Sequence, residues 1–114
     1  MGKKRNLNLD SQILKLSGRV DSFRFDEVKD QIAKYVDEGP EAVALDLSNV
    51  DFLSLAIIKF FGEVAHSLQL EGRELILLGL SEKLKRQVDL YASLDGMMIY
   101  RNAGDWKHQT THLS

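Results

Sequence analysis

The sequence predicts an α/β fold, in which a mixed β-sheet of about five strands carries helices packed against it. Two short and nearly continuous apolar runs, at 42–47 and 74–78, are typical of strands that are covered on both faces. Other segments repeat apolar residues every three or four positions, which is the period of a helix that packs through one face. Strands alternating with helices imply right-handed crossover connections, so a sheet with helices against it is expected.

Composition and charge exclude several classes of protein. The 114 residues suffice for one domain with one core, and the absence of cysteine excludes thiol nucleophiles, cysteine zinc sites and disulfides. Fifteen basic against seventeen acidic residues leave a net charge of −2, without the broad basic field expected of a nucleic-acid binder. No apolar run has membrane-spanning length, and no signal peptide is recognisable. We therefore expect a cytoplasmic protein with no nucleic-acid partner and no direct membrane insertion.

The sequence of the first half of the chain predicts two short strands, then a helix, then a central strand. Apolar residues alternate with polar ones between 7 and 16, and a polar pair interrupts them, which predicts two short strands around a turn. Gly39 and Pro40 end the first helix, because glycine suits the left-handed cap and proline disfavours helix in the preceding residue. The run at 42–47 then predicts a central strand. The inner face of the first helix comprises Phe25, Val28, Ile32, Tyr35 and Val36.

The second half predicts two further helices, each followed by a strand, at 74–78 and at 97–100. Gly72 closes the second helix, and Ser81 is the predicted N-cap of the third. The second helix has an apolar stripe of Ile57, Ile58, Phe61, Val64, Ala65 and Leu68 and an outward side with Lys59, Glu63 and His66. The inner side of the third comprises Leu80, Leu84, Val88 and Tyr91. Apart from Trp106, the tail at 101–114 has little apolar periodicity, which predicts a short terminal helix or a mobile end.

No arrangement of residues predicts an enzyme, a metal site or a cofactor site. A glycine-rich phosphate loop is missing at every strand-to-helix junction, and no nucleophile is paired with a base. His108 and His112 are four residues apart but lack a third ligand, so a solvated tail explains them better. Asp46, Asp51 and Asp95 are explained by turns and caps at the ends of strands and in loops. We therefore expect a protein without catalytic activity or cofactors.

Three segments carry a resemblance to a known family. They are Leu-Ser-Gly-Arg-Val-Asp at 16–21, the segment Asp-Leu-Ser-Asn-Val-Asp-Phe-Leu-Ser-Leu-Ala-Ile-Ile at 46–58, and Gly-Arg-Glu-Leu-Ile-Leu-Leu-Gly at 72–79. Their order and spacing resemble the STAS domain of anti-sigma-factor antagonists. The resemblance implies a STAS-like domain over residues 7–101, with an N-terminal extension at 1–6 and a tail or short helix at 102–114. It also implies a bacterial-type signalling protein that regulates transcription by binding an anti-sigma factor, which in this family is also a serine kinase.

The start of the second helix departs from the family's pattern. Relatives carry Asp-Ser-Ser-Gly there, and the kinase phosphorylates the second serine. In this chain Ser54 replaces the aspartate, Leu55 the first serine, Ala56 the acceptor serine and Ile57 the glycine. Alanine has no hydroxyl, so the resemblance implies that the phosphorylation switch cannot operate at Ala56. Ser54 keeps the remaining hydroxyl of the segment; we expect it to cap the helix, and its phosphorylation is the alternative.

The resemblance also implies which residues contact a partner. They lie in the loop before the first helix and at the start of the second, and comprise Asp21, Ser22, Ser54, Leu55, Ala56 and Ile57. Leu55 is the candidate for an exposed apolar contact, because helical spacing assigns Ile57 to the core stripe. Asp21 has two interpretations that are compatible, a partner contact and a cap of the turn before the helix.

Three other functions stay open at the level of the sequence. A STAS-like fold can serve as a module that binds a small ligand such as a nucleotide or a lipid, although no phosphate loop supports this. It can also serve as a subunit associated with a transporter. Finally, an apolar helix start around Leu55 can pair two copies of the chain as a homodimer. Ligand titration, co-purification with membrane components and light scattering discriminate these alternatives.

Overall fold

The computed structural model describes residues 13–92 and 95–107, which form one parallel sheet with helices against it. The strands are β1 (Ile13–Val20), β2 (Ala42–Leu53), β3 (Glu74–Leu78) and β4 (Met97–Tyr100), paired in that order. This confirms the predicted α/β fold. The sequence predicted a mixed sheet of about five strands, whereas the described residues form four strands that are parallel throughout. The strand predicted near residues 7–9 lies outside the described residues.

Three helices pack on one face of the sheet through the apolar stripes that the sequence predicted. They are α1 (Phe25–Asp37), α2 (Leu55–Leu70) and α3 (Glu82–Tyr91). The core of this face includes Ile32, Ile57, Phe61, Leu68, Leu84 and Val88 from the helices, with Leu45, Leu47, Leu75 and Leu77 from the strands. The prediction for Tyr91 was wrong, because this residue ends α3 and half of its surface is exposed.

The opposite face of the sheet is covered by Trp106. Residues 103–107 are helical, and the Trp106 side chain is buried in a small cluster with Ala44, Ile76 and Leu78. The Asn102 side-chain oxygen accepts a hydrogen bond from the Asp105 amide at 2.8 Å, in the manner of an N-cap. Of the two outcomes predicted for the tail, residues 103–107 therefore adopt the helical one. His108 and His112 lie outside the described residues.

Strand β2 is longer than the run of apolar residues that predicted it. The sequence indicated a strand at 42–47, but the strand continues to Leu53 because its second half pairs with β1. Two register shifts occur along this pairing, and each places an extra residue in β2, as in a β-bulge. Val50 and Leu53 still face the core. The extension brings the end of β2 level with the end of β1.

Candidate functional site

The carboxyl ends of β1 and β2 bring together the two segments that the sequence assigned to partner binding. Val20 and Leu53 are register partners at these ends. The Ser54 amide donates a hydrogen bond to the Val20 carbonyl oxygen at 2.9 Å. Asp21 follows β1 directly, and Ser54 follows β2 directly. The loop before α1 and the first turn of α2 therefore lie next to each other at one edge of the sheet.

Asp21 caps a single 3-10 turn that leads into α1. Its side-chain oxygen accepts a hydrogen bond from the Phe23 amide at 3.1 Å, and its carbonyl oxygen accepts one from the Arg24 amide. The turn comprises Ser22–Arg24. The second carboxylate oxygen of Asp21 has no hydrogen-bond partner in the part of the chain that the structure describes, so it can accept a donor from another molecule. Ser22 is exposed beside it.

Phe23 is a candidate contact that the sequence analysis missed. Its side chain is 95% exposed, the largest value among the exposed large apolar residues of the described chain. The turn holds it there, because the Arg24 guanidinium donates hydrogen bonds to the carbonyl oxygens of Ser17 at 2.7 Å and Arg19 at 3.0 Å. A signal was present in the sequence. Phe23 lies outside the three-and-four spacing that places Phe25 on the inner face of α1.

The first turn of α2 divides the four predicted residues between the surface and the core. Leu55 is 47% exposed and Ala56 is also exposed. Ile57 is fully buried, so its side chain does not contribute to the surface, contrary to its place in the predicted set. The Ser54 hydroxyl accepts a hydrogen bond from the Ile57 amide at 3.2 Å, which makes Ser54 the N-cap of α2.

We name the exposed part of this edge the strand-end surface. It consists of Asp21, Ser22, Phe23, Ser54, Leu55 and Ala56. Two cations border it on the β1 side. The Arg24 guanidinium is hydrogen-bonded to backbone carbonyl oxygens of β1. The Arg19 guanidinium lies 4.2 Å from the centre of the Phe52 ring. The surface therefore presents apolar side chains, two of them large, together with one carboxylate and two hydroxyl groups.

Replacing Ser54 by alanine is expected to lower the free energy of unfolding by about 1 kcal/mol, because the Ile57 amide loses its acceptor. Urea unfolding followed by circular dichroism measures this difference. Ser67→Ala on the same helix is the matched control, since Ser67 is exposed and caps nothing. We expect the control to stay within about 0.5 kcal/mol of the wild type. Equal losses in both variants would contradict the capping role.

The described residues contain neither a group of metal ligands nor a membrane-spanning helix. Within residues 13–92 and 95–107, no three His, Asp or Glu side chains are grouped so that they could hold a metal ion. His66 lies on the exposed side of α2, where its sequence position predicted it. None of the helices in these same residues combines the length and the apolar character needed to cross a membrane.

A comparison with protein families matches one family to most of the chain. A family model described as the STAS domain matches residues 4–106. This range covers most of the chain and contains all four strands and three helices described above. It also contains every residue of the strand-end surface. The chain therefore belongs to the STAS domain family.

Proposed function

We propose that this chain is a non-catalytic regulator of the anti-sigma-factor-antagonist type, which binds its protein partner through the strand-end surface. One observation carries the proposal. Two large apolar side chains, Phe23 and Leu55, are exposed on two segments that a backbone hydrogen bond joins at the same edge of the sheet. Exposed apolar groups that are clustered and rimmed by polar residues are typical of protein–protein interfaces.

The proposed partner is a cytoplasmic anti-sigma factor that is also a serine kinase. Membership of the STAS domain family supports a role of this general kind. The segments at 16–21 and 46–58, which carry the resemblance to the antagonists, also form the two sides of the strand-end surface. By occupying the anti-sigma factor, the chain would release a sigma factor and so regulate transcription.

We further propose that this binding does not depend on phosphorylation. Ala56 stands at the family's acceptor position and has no hydroxyl. Ser54 is partly buried, and its hydroxyl is engaged as the cap of α2. A phosphate adds close to two negative charges, which disfavour an apolar contact through desolvation. With Leu55 and Ala56 in place of serines, the surface would stay permanently in its binding state.

The test uses this chain and the purified anti-sigma serine kinase of its source organism. Titration calorimetry is performed before and after incubation of the two proteins with ATP and Mg²⁺, and intact mass is measured in parallel. We expect the same dissociation constant in both conditions and an unmodified mass. An absence of binding, or a stoichiometric phosphate on the wild-type chain, would contradict the proposal.

Ala56→Ser is the matched control for that experiment. It restores the acceptor hydroxyl on the exposed first turn of α2. We expect this variant to gain the mass of one phosphate and to bind at least about tenfold more weakly after incubation, because unfavourable charge placement at an interface costs several kcal/mol. The control shows that the kinase is active and docks normally.

A further inference from the structure

A shallow groove lies between α1 and α2, away from the strand-end surface. It involves the second half of α1 and the part of α2 from Phe60 onwards, with a volume of about 290 Å³. None of the residues that line it belongs to the strand-end surface, and Phe60, the lining residue of α2 nearest to that surface, is about 7.5 Å from Leu55 along the helix axis, at 1.5 Å per residue. The groove is therefore a separate feature, and what it binds does not depend on the proposed function.

Apolar side chains that the core leaves partly exposed form the walls of this groove. Ile32 and Leu68 are buried at its base. Val36 from α1 and Phe60 and Val64 from α2 also line it, and each is only partly buried although it packs against the core. A partner that covers these three side chains would remove apolar surface from water, which is favourable in proportion to the area covered.

The rim of the groove is acidic. Its lining residues include Asp37, Glu63 and Glu71 and no lysine or arginine. Glu71 is paired with Arg73, whose guanidinium lies 2.6 Å from its carboxylate. Asp37 on α1 and Glu63 on α2 are exposed and have no ion-pair partner among the described residues. Two unpaired carboxylates, one from each helix, therefore accompany the apolar strip.

We propose that this groove docks a cationic amphipathic helix of a second protein. Charge complementarity selects this occupant: the helix places aliphatic side chains against Val36, Phe60 and Val64, and its lysine or arginine residues reach Asp37 and Glu63. Recognition of a helix by an apolar groove is a common mode of binding. The apolar strip can bury the apolar face of a helix, while the carboxylates select cationic helices and exclude acidic ones.

The test is an NMR titration of the ¹⁵N-labelled full chain with a synthetic amphipathic helical peptide made of leucine and lysine. We expect saturable shifts of the Ala33, Val36 and Ser67 amides, which line the groove. The same peptide with glutamate in place of lysine should cause no shifts. Binding should also weaken as salt is added, because the charged rim is exposed. Shifts at the strand-end surface instead of the groove would overturn the proposal.

Glu63→Lys removes one rim carboxylate. We expect this variant to bind the lysine peptide at least about tenfold more weakly, because the new lysine places a like charge at the contact. Asp89→Lys on α3 changes the net charge equally at an exposed position outside the groove, and should bind like the wild type. Equal losses in both variants would mean non-specific attraction and overturn the proposal. Shifts of the same groove amides on concentrating the chain alone would assign the groove to a second copy and overturn it as well.

Discussion

Replacing Phe23 and Leu55 together by aspartate is expected to weaken binding of the proposed partner, an anti-sigma factor, by at least about a hundredfold. Each large apolar side chain that becomes fully buried contributes roughly 1.5 to 3 kcal/mol, and every 1.4 kcal/mol is about a factor of ten in affinity. Both side chains are exposed in the free protein and are thus available for burial by the partner. The single variants should show smaller losses, with Phe23→Asp the larger because Phe23 is more exposed.

Calorimetry against the purified anti-sigma factor measures these affinities, and circular dichroism checks the fold. Aspartate at position 55 lies in the first turn of α2, where a negative charge favours the helix. Leu90→Asp is the matched control, since Leu90 is 71% exposed on α3 and lies outside the strand-end surface. We expect the control to bind like the wild type. A double variant that keeps its affinity would show that the partner uses another surface.

Replacing Trp106 by alanine is expected to lower the free energy of unfolding by about 3 to 5 kcal/mol, the range for removing a buried tryptophan side chain. Trp106 is 4% exposed and forms the second core cluster with Ala44, Ile76 and Leu78. Among the described residues it is the one large aromatic side chain buried on this face of the sheet. Its removal would take away the contacts that Trp106 makes with Ala44, Ile76 and Leu78.

Urea unfolding followed by circular dichroism measures this loss, because the variant lacks the chain's single tryptophan and with it the fluorescence signal. Trp106→Phe should lose less of the free energy of unfolding than Trp106→Ala, since phenylalanine keeps an aromatic ring over the sheet. Leu90→Ala, at an exposed position, should change the stability by less than about 0.5 kcal/mol. If Trp106→Ala lost less than about 1 kcal/mol, residues 103–107 would not be a structural part of the domain.

Much of this fold follows from local chemistry, which a single sequence displays. The stripes of the helices were predictable because burial of one helix face requires a spacing of three and four. The caps at Ser54 and Ser81 were predictable because the first turn of a helix needs side-chain acceptors, and both accept the expected amide. The same period predicted that Ile57 belongs to the core stripe and left Leu55 as the exposed candidate.

Other features depend on contacts between residues that are far apart in the chain. Strand β2 extends to Leu53 only because its second half pairs with β1 through two bulges in β2, which the polar residues of that half do not reveal. Trp106 is buried because it packs on a face of the sheet to which Ala44, Ile76 and Leu78 contribute their side chains. The groove is lined by residues of two helices that the chain keeps apart in sequence and the fold brings together. The sequence by itself thus determined the elements and their inner faces, whereas the tertiary structure decided which exposed side chains meet, because that depends on pairing and packing across the chain.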